Sequence, residues 1–297
     1  MTRFDVSGDG PHDHDLGLAH DLSTLLGRRH ALKLLAGAAL VTVGACGSDG
    51  KNDKTASSAT STTSDGSSSS STVSGSSGST SSTPSATGAS CETIPDETAG
   101  PYPGDGSNGP DVLSETGIVR SDITRSFGGS TTRPEGVPLT VNLVILGRSG
   151  GCKAMAGAAV YLWHCDREGR YSRYSQGVTG ENYLRGVQEA DAGGRVTFET
   201  IFPAAYSGRW PHIHFEVYPT LAQATSQRNK LATSQLALPE DACKAVYATA
   251  GYEQSVRNLA QTSLARDLVF GDGSSQQLAT MSGGVGAGFT AELSVPV

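Results

Sequence analysis

The stretch Gly208–Pro219, GRWPHIHFEVYP, places His212 and His214 on either side of a single isoleucine. On an extended chain Ile213, Phe215 and Val217 share one face, and His212, His214, Glu216 and Tyr218 share the other, the pattern of a half-buried strand. Both imidazoles then point the same way, roughly 6.5–7 Å apart along the chain, a gap that one metal ion can close through both rings. Two neutral imidazoles suit zinc, copper or iron alike, so the remaining ligands decide the metal. Two polar residues on a surface strand would show the same spacing, and only further ligands distinguish the two cases.

Tyrosine is the informative partner. A phenol with a pKa near 10 ionises at neutral pH only beside a strongly acidic ion, and ferric iron achieves this far better than a divalent ion. Two phenolates and one hydroxide also neutralise a 3+ charge, which suits a partly dry cleft. The candidates are Tyr171 in WHCDREGRYSRYS and Tyr206 in FPAAYSGRWPHIHF.

These two stretches resemble the iron-binding signatures of the intradiol ring-cleavage dioxygenases, the family of protocatechuate 3,4-dioxygenase and catechol 1,2-dioxygenase. Tyr171 follows Gly169 as in the family's W-x-x-x-x-x-G-x-Y segment, and Tyr206 follows Pro203 as in its P-x-x-Y loop. The family's R-P-x-H-x-H-F reads here Arg209-Trp210-Pro211-His212-Ile213-His214-Phe215, with the proline displaced by one residue. PDETAGPYP (Pro95–Pro103) is similar to the E-T-x-G-P-Y opening of the protocatechuate branch, and ATSQL (Ala232–Leu236) to the segment that supplies an active-site glutamine, here Gln235. The long helical N-terminal region of the catechol 1,2-dioxygenases is missing, and the chain is instead similar to secreted, single-domain members, so the family's usual oligomers are not assumed.

The resemblance implies one non-haem Fe(III) per chain, held by Tyr171, Tyr206, His212 and His214. It implies a catechol-type aromatic diol and O2 as substrates, with cleavage between the two hydroxylated carbons to a cis,cis-muconate. In that scheme Tyr206 leaves the metal and acts as a base, Arg209 stabilises carbanion character on the ring, and Gln235 hydrogen-bonds in the same pocket. Trp163 is expected in the core, and His164 is given no role. The specific catechol is not legible.

The elements that must position these groups are strands. VPLTVNLVIL (Val137–Leu146), AAVYLWH (Ala158–His164), GRVTFETI (Gly194–Ile201) and HIHFEVYP are short alternating or apolar runs between turns such as DREGR and DAGG, as in a β-sandwich. Leu238–Ala260 carries signal for one or two short helices. The expected fold is mainly β, a prealbumin-like β-sandwich with one or two short peripheral helices.

Three regions are expected along the 297 residues. In residues 1–45 the pair Arg28-Arg29 precedes the uncharged run Leu34–Ala45, too short to span about 30 Å of hydrocarbon, so this reads as an export signal. It resembles a twin-arginine signal ending in a lipoprotein box, VGAC, which would lipidate Cys46 and place the domain on the outer face of the cytoplasmic membrane or release it. Residues 46–90 form a linker: from Thr55 to Ser90, 25 of 36 residues are Ser or Thr, too little apolar surface to offset ordering entropy. The folded domain spans residues 91–297. Its four cysteines, Cys91, Cys152, Cys165 and Cys243, form an even set in an exported domain and are expected to make two disulfides of unspecified pairing. The formal charge of −7, with no basic stripe, argues against nucleic acid as a partner.

Two other readings remain open at this level. One is a non-catalytic prealbumin-like binding module on a lipid tether, which has no reason to bring two histidines and two tyrosines together. The other is a divalent-metal hydrolase or extradiol-type oxygenase, which would want a carboxylate ligand, for which Glu216, on the histidine face two residues beyond His214, is the candidate.

Overall fold

The computed structural model describes residues 91–297; the expected export signal, linker and Cys46 anchor lie outside the described residues. Among these residues no helix is long and apolar enough to cross a membrane. Nine strands are present: β1 (Pro138–Gly147), β2 (Lys153–Ala154), β3 (Ala159–Trp163), β4 (Arg185–Glu189), β5 (Arg195–Ile201), β6 (His212–Tyr218), β7 (Ala232–Ala237), β8 (Thr280–Gly284) and β9 (Gly288–Pro296). They form two sheets. In the first, β1 pairs antiparallel with β2 and β5 on one side and parallel with β9 on the other, and β9 continues to β8. The second is wholly antiparallel, in the order β4-β3-β6-β7.

Alternation along the strands builds the core between the sheets. Leu139, Val141, Leu143 and Ile145 of β1 face Val160 and Leu162 of β3 and Ile213, Phe215 and Val217 of β6, one inward residue in every two. Two short helices, α1 (Glu240–Tyr247) and α2 (Glu253–Leu259), contribute Val246, Tyr247 and Leu259 to that same core. The four strands read from the sequence lie within a residue or two of the observed ones, and the helical segment divides into two helices as expected.

The second sheet is buried on both faces, which corrects the half-buried reading of β6: all seven of its residues are buried. The reason is long loops. Segments before β1, between β3 and β4 and between β5 and β6 fold over the outer face, where Val112, Leu113, Ile118, Tyr171 and Tyr206 cluster with Tyr161, Trp163 and Tyr218. An N-terminal strap is fastened down by backbone hydrogen bonds, Ile94 N–H to the Pro296 carbonyl at 2.8 Å and Glu97 N–H to the Thr233 carbonyl at 2.7 Å.

The expectation of two disulfides is corrected to one. Cys91 is bonded to Cys152, 61 residues away, tying the start of the strap to the turn between β1 and β2. Cys165 and Cys243 are buried free thiols; both are packed among apolar side chains and serve as small core residues.

Candidate active site

β6 carries the histidines and its neighbours set their rings. Antiparallel pairing puts Trp163 of β3 opposite His214 and Gln235 of β7 on its other side. The His214 ring stacks flat on Trp163, centroids 4.9 Å apart at 7°. Trp163 is fully buried, in line with a core role, and in addition forms the wall behind His214. The carbonyl of Trp210 accepts a hydrogen bond from His212 Nδ1 at 2.5 Å, which leaves the Nε2 lone pair facing inward. The two Nε2 atoms stand 3.1 Å apart.

Both tyrosines arrive on loops that cover this face. After β3 the chain turns at Asp166–Gly169, where Gly169 takes φ 85°, a left-handed conformation that glycine adopts without strain, and Tyr171 follows. Its ring packs between Tyr102, at a centroid distance of 4.9 Å, and His214, at 6.2 Å. Tyr206 comes from the loop before β6. Its hydroxyl lies 3.0 Å from His212 Nε2 and 3.5 Å from the Tyr171 hydroxyl. The four candidate ligand residues therefore bring two imidazole nitrogens and two phenol oxygens into one buried cluster, with exposures of 2 % for Tyr171, His212 and His214 and 8 % for Tyr206.

Burial and neighbouring groups disfavour the charged forms of His212, His214 and Tyr171. Burial, then the neighbouring Arg209 charge, pushes His212 down to about 3, and burial with the adjacent His212 keeps His214 well below the usual imidazole range. Burial and the proximity of Tyr206 raise Tyr171 above the usual phenol range. The buried Nδ1 of His214 has no hydrogen-bond partner, and its Nε2 faces another imidazole nitrogen. Lone pairs gathered in this way suit a cation between them.

Arg209 and Gln235 join the same cluster. Arg209 is 1 % exposed and far from a surface arginine: its Nη2 donates to Gln235 Oε1 at 2.7 Å, and Gln235 Nε2 donates to the Thr98 carbonyl at 2.9 Å. The PDETAGPYP segment is thereby wired to the site through Thr98, and through the Tyr102 ring.

The sequence reading missed two groups. Asp267, 2 % exposed, forms an ion pair with Arg209 at 3.0 Å; burial opposes its ionisation, but Arg209 and the Trp210 N–H outweigh this and lower its pKa. An acid directly before the apolar run Leu268–Phe270 needs a partner when that run is buried, which was the available signal. Arg185, also 1 % exposed, donates to the Tyr102 and Pro103 carbonyls at 2.9 and 2.7 Å and to Ser172 Oγ at 3.1 Å, so it clamps the Tyr102 loop to the Tyr171 loop. Gly104 permits that approach, since a Cβ there would lie 2.8 Å from Arg185 Nη1.

Glu216 does not join the cluster. Its carboxylate oxygens are taken by Lys230 Nζ at 2.7 Å and the Tyr218 hydroxyl at 2.6 Å, and burial raises its pKa to about 7. Among the described residues no group of three or more His, Cys, Asp or Glu side chains is placed to hold a metal. His164 also stands apart, its Nε2 2.7 Å from Thr200 Oγ1.

Comparison with known proteins gives a consistent answer. A family model described as Dioxygenase matches residues 108–248. The fold is similar to a structure titled intradiol ring-cleavage dioxygenase from Tetranychus urticae, with TM-score 0.53 and 25% identity over 70% of this chain and 96% of that one. A catechol 1,2-dioxygenase from Acinetobacter lwoffii is 34% identical over 70 residues, 23% of this chain and 22% of that protein's length. The matched family model and the solved structure together liken this chain to the intradiol ring-cleavage dioxygenases.

Proposed function

We propose that this protein is a non-haem Fe(III) dioxygenase that opens catechol-type rings between the two hydroxylated carbons. The observation that carries the reading is the convergence of Tyr206 Oη, His212 Nε2 and His214 Nε2 at 3.0–3.1 Å, with Tyr171 Oη at 3.5 Å from the first. Two imidazoles and two phenols without a carboxylate match a hard trivalent ion better than a divalent one. A non-catalytic binding module would gain nothing from burying these four groups together.

Tyr171, Tyr206, His212 and His214 would hold a ferric ion, which when bound would supply a Lewis-acid centre that activates the diol toward dioxygen. The chain's residues do the rest. Trp163 and the Trp210 carbonyl hold the two imidazoles, and Tyr102 and Arg185 hold the Tyr171 loop. Tyr206, the more exposed of the two phenols, precedes Gly208 at φ 80° and is the group able to swing away and take a proton from a substrate hydroxyl. Arg209, charged at all working pH values, stabilises negative charge on the ring. Both atoms of O2 enter the diol, giving a cis,cis-muconate with no external reductant.

The test is the visible spectrum and oxygen uptake of residues 91–297 loaded with iron. A tyrosinate-to-iron charge-transfer band that shifts on adding catechol, with oxygen consumed and a ring-opened diacid formed, is the expected result. A protein that stays colourless after ferric loading overturns the reading.

We further infer that residues 1–45 export the protein and that Cys46 carries its lipid. Cys46→Ser should move the protein from the membrane fraction to the soluble exported fraction; an unchanged distribution overturns the anchor.

A further inference from the structure

Asp267 lies outside every motif that marks the site, yet its carboxylate is buried and receives five N–H groups. Oδ1 accepts from Val269 N at 2.9 Å, Phe270 N at 3.1 Å and Arg209 Nη2 at 3.4 Å. Oδ2 accepts from Arg209 Nε at 3.0 Å and Trp210 N at 2.6 Å. A turn cap would need only the first two of these. The others reach the active site from behind. Trp210 is the residue whose carbonyl orients His212, and Phe270 sets its ring against His212 at 6.5 Å and 65°.

One carboxylate thus fixes the guanidinium of Arg209, the backbone that aims His212 and the aromatic beside it. A guanidinium buried to this degree without an anion would be an uncompensated charge, free to turn toward other acceptors such as the carbonyls of the cluster. We propose that Asp267 is a positioning residue for ring cleavage: it holds Arg209 at the angle from which its charge meets the substrate ring, and it steadies His212 through Trp210. The proposal rests on the ring-cleavage reading above.

The experiment is a double-mutant cycle on the iron-loaded domain with catechol as the probe substrate, using Asp267→Asn, Arg209→Gln and the pair. If Asp267 acts through Arg209, kcat falls about 10²–10³-fold in Arg209→Gln, as for loss of a charge-stabilising group. Asp267→Asn falls by about tenfold or more, with KM little changed, and the double variant is slower than Arg209→Gln by much less than the Asp267→Asn loss. The charge-transfer band of Asp267→Asn should also shift, without substrate, because His212 loses its anchor. Losses that multiply in the double variant, or a band in Asp267→Asn identical to wild type, overturn the proposal. If Asp267→Asn does not fold, Asp267→Glu keeps the charge one methylene out of place and the same comparison decides. Wild-type protein that binds iron but consumes no oxygen with catechol overturns the ring-cleavage reading itself, a failure recognised without any variant.

Discussion

The ring of His214 lies against Trp163 at 4.9 Å and 7°, two residues directly opposite each other on β6 and β3. Replacing Trp163 by Phe keeps an aromatic face, whereas Trp163→Leu removes it. Iron should be lost to a competing chelator about 10–100-fold more readily in Trp163→Leu, the usual cost of removing a group that orients a ligand, and little changed in Trp163→Phe. Equal retention in both would mean that the strand alone fixes the imidazole.

Tyr206→Phe should keep iron but weaken the visible absorption, since one of two phenolates is removed. His214→Ala should lose most of the metal. Iron content near one per chain in purified His214→Ala, measured by mass spectrometry, would count against the ligand assignment.

Burial holds His164 at a pKa of about 4, against about 6.5 for an unfolded histidine. Between those values the unfolded chain binds the extra proton, so folding stability falls as pH drops from about 6.5 to about 4, by up to about 1.4 kcal/mol per pH unit. His164→Gln can still meet Thr200 and does not titrate. Urea unfolding of the metal-free proteins at pH 6.5 and 4.5 should show a smaller acid loss for the variant; the same loss in both would show that His164 contributes no proton uptake.

With one disulfide, the oxidised domain should yield two free thiols, Cys165 and Cys243, and only after unfolding, because both are buried. Cys152→Ser should lower stability by about 4 kcal/mol, the chain-entropy figure for the 61-residue separation. A thiol count of zero would restore the second bridge.

Much of this was legible from residue types. Alternation marked β1, β3, β5 and β6, and the family resemblance of the segments around Tyr171, Tyr206, His212 and His214 implied the cluster. Other parts were hidden for physical reasons. β4 (RGVQE) and β7 (ATSQLA) are too polar to announce themselves, because their outward faces serve the site: Arg185 and Gln235 are strand residues whose burial comes from loops distant in sequence. The burial of the His212 face was hidden for the same reason, since a strand pattern cannot tell water from a covering loop. Cys165 and Cys243 misled because an even count says nothing about whether thiols meet. Asp267 belongs to no motif, and only the fold brings it under Arg209.

The Cys91–Cys152 bond has a mechanical consequence. The strap that follows Cys91 holds Gln235 through Thr98 and lays Tyr102 on Tyr171. A pull on the chain ahead of Cys91 passes through the two sulfurs into the turn after β1, a strand paired on both sides, and is not carried along the strap. Tension at the N-terminal side can therefore be borne by the first sheet while the groups around the two histidines stay slack.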